Sequence, residues 1–434
     1  MEKRTVFINT QVVTMEESAP LIKEGFLAFS KGVIAALGPL SDYQPASHDE
    51  VIDLKGKIIM PGLINTHTHL GLVPLRSMAD DMPDRLRKFL FPMEMRYLTA
   101  DLTAKSSLFA AAESLKSGVT TVADMYYFTD EVATSLSQIG IRAFCGQTII
   151  AENGADRLSE KAALAKIRAL AEKWHGHPKI KIMVAPHGTT TVSEATLIEA
   201  DQIAQDYQIK LMIHVSEMDY EMEHFATLHQ MTPIEYLNQI GILSDRLISV
   251  HSIFAQKQDF KLLADHKVNV VHCLSANLKS AKGFMDLKAM LDHGVNVSIG
   301  TDGPISGNTL DLWTQIRFLP LVHKTINQDR SYLPSYEILK LATINGAKTL
   351  GIEHEVGSLK VGKKADLVII DPFKLHSFPV HDVFASLVYS VNASNVEAVL
   401  IDGQWIVEDY QLVKKAESEI FTNLKNALPN FEID

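Results

Sequence analysis

His67 and His69 stand two residues apart at the end of an apolar run, in N-T-H-T-H (65–69). At that spacing on a strand both side chains project from the same side of the pleat, so two imidazoles can grip one metal ion. A lone H-x-H is as easily a pair of satisfied core histidines. Two further residues argue against that bland reading, because His214 and Asp302 also close or follow strand-like apolar runs. Three imidazole nitrogens and one carboxylate oxygen suit zinc or ferrous iron and leave room for a water. Glu217 lies three residues beyond His214, within reach of a water held at such a centre. A metal brings the pKa of that water towards about 7, and a carboxylate can then take its proton and hand it to a substrate. His187 and His251 complete a set of polar residues that all follow apolar runs.

The elements that must position these residues alternate along the middle of the chain. Strand-length apolar runs occupy 58–65, 119–125, 142–150, 180–186, 210–214, 247–251, 268–272 and 295–300. Stretches of helical period separate and follow them, at 102–117, 131–139, 159–174, 194–207, 233–240, 257–266, 285–293 and 310–323. Strands alternating with helices predict a parallel sheet, and eight of them predict a closed (β/α)8 barrel, with an open doubly wound sheet as the alternative. In a barrel the residues at the carboxyl ends of the strands meet at one mouth. That is where all seven histidines and acids named above would converge. The two ends of the chain read differently. Short β-rich runs at 5–14, 26–37 and 51–57 precede the alternating region. After it come an apolar strand at 365–371, a hairpin about Asp402-Gly403 and a helical tail from about Lys414.

Composition narrows the setting. The 434 residues are 46% hydrophobic and 21% charged, with a net charge of −11. That is enough apolar material for a large core, and an acidic balance that argues against a nucleic-acid or anionic-membrane surface. The two cysteines, Cys145 and Cys273, fall inside apolar runs, so a disulfide framework is not expected and a reducing compartment fits. No apolar run is long enough for a signal h-region or a membrane span. The cytoplasm is the expected location.

Taken together, N-T-H-T-H (65–69) after M-P-G-L-I, I-H-V-S-E (213–217), S-V-H-S (249–252), H-C-L-S-A-N-L-K (272–279) and G-T-D-G (300–303) resemble the amidohydrolase superfamily. The segment G-S-L-K-V-G-K-K-A-D-L-V-I (357–369) extends the resemblance to nearly the whole chain. The motifs are most similar to the branch of S-adenosylhomocysteine and 5′-methylthioadenosine deaminases, with guanine deaminases and triazine chlorohydrolases as relatives. The resemblance implies a distorted (β/α)8 barrel at 58–354 and a small β-sandwich built from 1–57 and 355–434. It implies one divalent metal, zinc or iron, on His67, His69, His214 and Asp302, with Glu217 as proton shuttle. His251 would hydrogen-bond the attacking hydroxide, and Asp302 would pass a proton to the leaving ammonia. Two-metal relatives use a lysine after strand four, where this chain has A-P-H-G (185–188). That leaves a single ion and makes His187 a contact for a ring nitrogen.

The same resemblance places Glu94, in F-P-M-E (91–94), on the ribose hydroxyls, since a carboxylate can accept both hydrogen bonds of a vicinal diol. It places Arg157, in N-G-A-D-R-L (153–158), near the substrate's tail, and puts Gln147 where relatives that take a carboxylate-bearing tail have a second arginine. An arginine restored at 147 is expected to favour the charged tail. Leu274 and Gly307 depart from residues common among relatives, and they touch the shape of the loops rather than the centre. The expected activity is hydrolytic deamination of 5′-methylthioadenosine, S-adenosylhomocysteine or both, by a homo-oligomer acting on a small-molecule nucleoside. Guanine, another purine or a triazine is the alternative substrate, and a non-catalytic binding homologue is the alternative class.

Overall fold

The computed structural model describes residues 3–152 and 154–432, and no helix among them is long and apolar enough to cross a membrane. Asn153, the first residue of the N-G-A-D-R-L run, lies outside the described residues. The chain divides into two compact units, one of residues 1–65, 112–121 and 311–417, the other of 66–111, 122–310 and 418–434.

In the first unit, β1 (Arg4–Val13), β2 (Leu21–Ser30), β3 (Val33–Pro39), β4 (Asp49–Asp53) and β5 (Ile58–Pro61) begin a nine-stranded sheet. The barrel strands follow along the chain as β6 (Leu63–Thr68), β7 (Val119–Tyr126), β8 (Arg142–Ile149), β9 (Ile180–Pro186), β10 (Leu211–Val215), β11 (Leu247–His251), β12 (Asn269–His272) and β13 (Asn296–Ile299). Then β14 (Leu367–Ile370), β15 (Val396–Ile401), β16 (Gln404–Glu408) and β17 (Gln411–Leu412) complete the terminal sheet, in the order β17-β16-β15-β14-β5-β1-β2-β3 with β4 on β1. One face of it buries Phe7, Leu27, Ile59, Leu367 and Leu400. Burial of each such side chain stabilises by about 1.5–3 kcal/mol. The turn from β15 to β16 uses Asp402 and Gly403 at φ 51° and 69°, the two left-handed residues that a tight hairpin requires.

The single apolar run at 58–65 divides between the two sheets. Ile58–Pro61 pairs antiparallel with β14, and only Leu63–Thr68 joins the barrel. Gly62 is the break. A Cβ there would stand 2.1 Å from Thr120 Oγ1, so any other residue would force the crossing apart.

The second sheet runs β13-β12-β11-β10-β9-β8-β7-β6. β7 and β8 are buried at every residue, as strands covered on both faces must be. Its two ends meet and nearly close the barrel. Asp302 N donates to His67 O at 3.1 Å, and Thr66 Oγ1 donates to Ile299 O at 2.8 Å. Gly300 permits the approach, because a Cβ there would lie 2.9 Å from the His67 backbone. The expected helices are present, several of them with side-chain caps. Ser159 and Ser193 accept from Ala162 N and Thr196 N, and Thr232 with Glu235 forms a capping box. Several further helices were not expected, among them Asp219–Leu228 after β10 and Leu274–Lys279 after β12. The first follows the strand that carries His214.

Candidate active site

His67, on β6, is wholly buried, and His69 lies just past the strand end with its ring centroid 4.7 Å from that of His67. The intervening Thr68 bonds Asp302 O with its hydroxyl. His214 on β10 and Asp302 after β13 complete the group. His67 Nε2 is 3.2 Å from His214 Nε2 and 3.6 Å from Asp302 Oδ1, and His69 Nε2 is 3.2 Å from Asp302 Oδ1.

The far sides of these rings decide what the near sides can do. His69 Nδ1 faces Met125 O at 2.6 Å and His214 Nδ1 faces His187 O at 2.5 Å. A carbonyl can only accept, so each Nδ1 carries the proton and each Nε2 turns a lone pair inward. Donor atoms of His67, His69 and Asp302 lie within 4.8 Å of one another, as do those of His67, His214 and His251, and a cation among them would satisfy the inward lone pairs. Where no ion is bound, a proton can take its place on His69 Nε2: burial opposes a charge there, yet Asp302 outweighs it and lifts the imidazole to about 9. Burial would raise the Asp302 carboxyl too, but its bonds to His67 and His69 hold it well below the usual range. Burial and the neighbouring imidazoles keep His214 well below its ordinary value. The donor set fits a divalent ion held by three nitrogens and one oxygen.

His251 ends β11 at φ 74°, and Asp302 sits at φ 60°. Both are in the left-handed region that side chains rarely adopt, and such strain gathers at functional sites. His251 Nδ1 is 3.0 Å from Asn277 Oδ1, and its Nε2 is 3.6 Å from Glu217 Oε1. Glu217 also contacts Lys282 Nζ, at 2.5 Å through the same Oε1. Burial would raise the Glu217 carboxyl, but the charges of His251 and Lys282 hold it at about 2. Its main chain is fixed from behind by Glu221, which accepts from Ser216 N and Glu217 N at 2.9 Å each and from Thr189 Oγ1 at 2.6 Å.

These groups open on a cavity of about 500 Å³. His69, His187, His214, Glu217, His251 and Asp302 line it, and so does Glu94 on the helix Phe91–Tyr97, while His67 is sealed behind them. Glu94 is buried, and burial pushes its carboxyl up to about 7, against the opposing pull of the Tyr126 hydroxyl and His69. His187 has Nδ1 engaged by Thr191 Oγ1 at 3.0 Å, and burial lowers it to about 4. The neutral ring offers Nε2 to a ligand.

The structure does not bring two of the sequence candidates to this cavity. Arg157 is exposed on its loop and absent from the lining. Gln147 is wholly buried beside the cavity wall, bonded to Thr129 Oγ1, Thr148 O and Asp156 Oδ2. Its neighbour Thr148 lines the cavity in its place. The residues that sequence reasoning missed are Lys282, Tyr126 and Asp80. Asp80 gathers Lys279, Arg85 and Asn308 at the cavity's edge. Nothing in their spacing marks them, since each sits in a loop or strand whose register only the fold fixes.

Residues 58–406 match the amidohydrolase family. The chain belongs to that family. Amidohydrolases depend on metal, and the histidine cluster is where this one could hold it. A 5-methylthioadenosine/S-adenosylhomocysteine deaminase of Thermoanaerobacter pseudethanolicus is 37% identical over 97% of this chain and 98% of its own length. A 5′-deoxyadenosine deaminase of Methanosarcina mazei is 35% identical over 96% of each chain. Among solved structures, an adenosine deaminase of Xanthomonas campestris with bound zinc superposes with a TM-score of 0.95 at 31% identity, covering 98% of each chain. This amidohydrolase thus shares nearly all of its length with enzymes that carry deaminase names.

Proposed function

We propose that this amidohydrolase deaminates an adenine nucleoside carrying a 5′-thioether, 5′-methylthioadenosine or S-adenosylhomocysteine, to the inosyl product and ammonia. The observation that carries this reading is that the buried carboxylate of Glu94 lines the same cavity as Glu217 and Asp302, so one ligand can offer a diol to the first and an amidine to the others. The Thermoanaerobacter relative carries this substrate pair in its name, and the Methanosarcina relative is named for another 5′-modified adenine nucleoside.

His67, His69, His214 and Asp302 would hold one divalent ion. Zinc is our choice on the donor set and on the zinc bound to the Xanthomonas relative, with ferrous iron the alternative. When bound, the ion supplies the Lewis acidity that brings a water's pKa towards about 7. Glu217 takes one proton from the water that attacks C6 and delivers it to the adjacent ring nitrogen. His251, steadied by Asn277, hydrogen-bonds the attacking oxygen as charge develops. Asp302 passes the water's second proton to the amino group, which leaves as ammonia. The carbon–nitrogen bond breaks and a carbon–oxygen bond replaces it, with no change of oxidation state. His187 holds a ring nitrogen and Glu94 the ribose hydroxyls. We take the barrel, which lies within residues 58–354, as the catalytic part and the enzyme as a cytoplasmic homo-oligomer.

The test is ammonia release from 5′-methylthioadenosine, S-adenosylhomocysteine, adenosine, 5′-deoxyadenosine, guanine and a chlorotriazine. The thioethers should give the highest kcat/KM. Preferred turnover of guanine, or chloride release from the triazine in place of adenine deamination, would overturn the proposal.

A further inference from the structure

We infer that Lys282 is a positioning residue for Glu217, holding one carboxylate oxygen so that the other stays turned to the substrate. The inference rests on the assignment of Glu217 as proton shuttle. Lys282 follows the helix Leu274–Lys279 on a turn in which Ala281 and Gly283 take φ 54° and 100°, and its own N–H donates to Asn277 O at 3.1 Å. Asn277 meets His251 Nδ1 through its side chain. One short segment therefore presents Asn277 to His251 and Lys282 to Glu217.

The Lys282 side chain is 25% exposed and lines the cavity, with Nζ 2.5 Å from Glu217 Oε1. Among the described residues no other side chain hydrogen-bonds the Glu217 carboxylate, and His251 Nε2 stands 3.6 Å from the same Oε1. Glu221 fixes the Glu217 main chain from the opposite side. A glutamate has three side-chain torsions, and a main-chain anchor leaves all of them free. Without a cation on Oε1 the carboxylate can rotate out of line with His251. A proton shuttle needs one placement, and small errors in placing a reacting group are expensive. The ammonium is a point charge that contacts the shuttle rather than the reacting carbon, so its loss should affect turnover more than binding.

Lys282→Met and Lys282→Arg, compared on the best nucleoside substrate, test this. The methionine variant should lose about tenfold in kcat, within the scale of modest misplacement, with KM changed less than about threefold, and the arginine variant should recover most of the loss. In a Glu217→Gln background Lys282→Met should cost almost nothing further, because two residues acting through one group are not additive. Unchanged kcat, a rise in KM alone, or an undiminished penalty in the Glu217→Gln background would overturn the inference. A crystal structure of Lys282→Met decides it without substrate. Glu217 should leave the side of His251, and a carboxylate still at its wild-type position overturns the inference even if no nucleoside on the panel is deaminated. Failure of the panel itself would strike the proposed function and not this relationship.

Discussion

The Tyr126 hydroxyl donates to Glu94 Oε1 at 2.7 Å, and both groups are buried at the cavity wall. Burial raises the carboxyl to about 7, while the Tyr126 bond and the charge of His69 favour ionisation. Glu94 therefore changes form across neutral pH. The ionised form can accept from both ribose hydroxyls, and the protonated form gives up one of its acceptor sites. Since the diol binds the ionised form better, riboside kcat/KM relative to the 2′-deoxy analogue should rise between about pH 6 and pH 8. Tyr126→Phe removes a donor that favours the charge, so the rise should move to higher pH. Glu94→Ala should abolish the discrimination, a loss of about 1–3 kcal/mol. A ratio that stays flat with pH in the wild type would exclude Glu94 from the diol.

Metal binding should depend on a thioether. Met212 Sδ lies 3.2 Å from His67 Nδ1, where His69 and His214 have carbonyl oxygens. Sulfur is a weak acceptor, but at this wholly buried ring it is the partner that favours a proton on Nδ1 over one on Nε2. Met212→Leu should let the proton move to Nε2, where His214 Nε2 at 3.2 Å can accept it. Binding an ion must then reverse that shift. Chelator competition should show affinity lower by about 10–100-fold, the usual cost of losing an outer-shell partner. Metal analysis of the wild type should approach one equivalent per chain, and His69→Ala should fall well below it. Two tightly held ions, or an unchanged affinity in Met212→Leu, would contradict this picture.

Local pattern carried the fold to within a residue or two at most strands because parallel strands bury both faces and read as apolar runs, as β8 and β11 do. It did not resolve 58–65, where one continuous run serves two sheets and the break at Gly62 is enforced by Thr120, a residue distant in sequence. The centre was legible for a related reason. A histidine at a strand end is placed by the strand, so His67, His214 and His251 needed only the register. Loop residues have no such guide. Arg157 was placed by two short anchors and is exposed, whereas Lys282, on a turn after an unexpected helix, reaches Glu217.

Glu217→Gln keeps the shape of the shuttle and removes its basicity. Turnover should fall by about 10²-fold or more, while metal content stays at the wild-type level, because Glu217 touches the centre through His251 rather than as one of the converging donors. Nearly normal kcat in this variant would assign the proton transfer elsewhere.

Glu221 is a structural counterpart to that change. Its carboxylate satisfies two backbone N–H groups and the Thr189 hydroxyl in a buried place. Glu221→Ala leaves those donors unmatched at about 1–3 kcal/mol each before relaxation. Thermal unfolding should show a clear loss of stability, and kcat should fall with it because the Glu217 main chain loses its anchor. Wild-type Tm together with wild-type kcat would mean that water replaces the carboxylate without consequence.

The substrate's tail gives the last prediction, and here the structure changes the reason for it. Gln147 is spent on Thr129, Thr148 and Asp156, and Arg157 lies outside the lining, so neither is placed to meet the carboxylate of a substrate's tail. The cations that do line the cavity are occupied. Arg85 and Lys279 share Asp80 Oδ1 at 2.9 and 2.6 Å, and Lys282 holds Glu217. Asp81 and Asp84 add negative charge to the same wall. A homocysteine carboxylate would have to break one of these pairs, and a charge-assisted bond is worth roughly 1.5–3 kcal/mol. 5′-Methylthioadenosine should therefore exceed S-adenosylhomocysteine in kcat/KM by about tenfold to a hundredfold. Gln147→Arg should leave that gap unchanged, contrary to the expectation from sequence, because Asp156 would take the guanidinium. Asp80→Asn should narrow it by releasing Arg85 and Lys279 towards the tail. A wild type that prefers S-adenosylhomocysteine would show that one of these pairs opens at little cost, and the Asp80→Asn variant would then show no further gain.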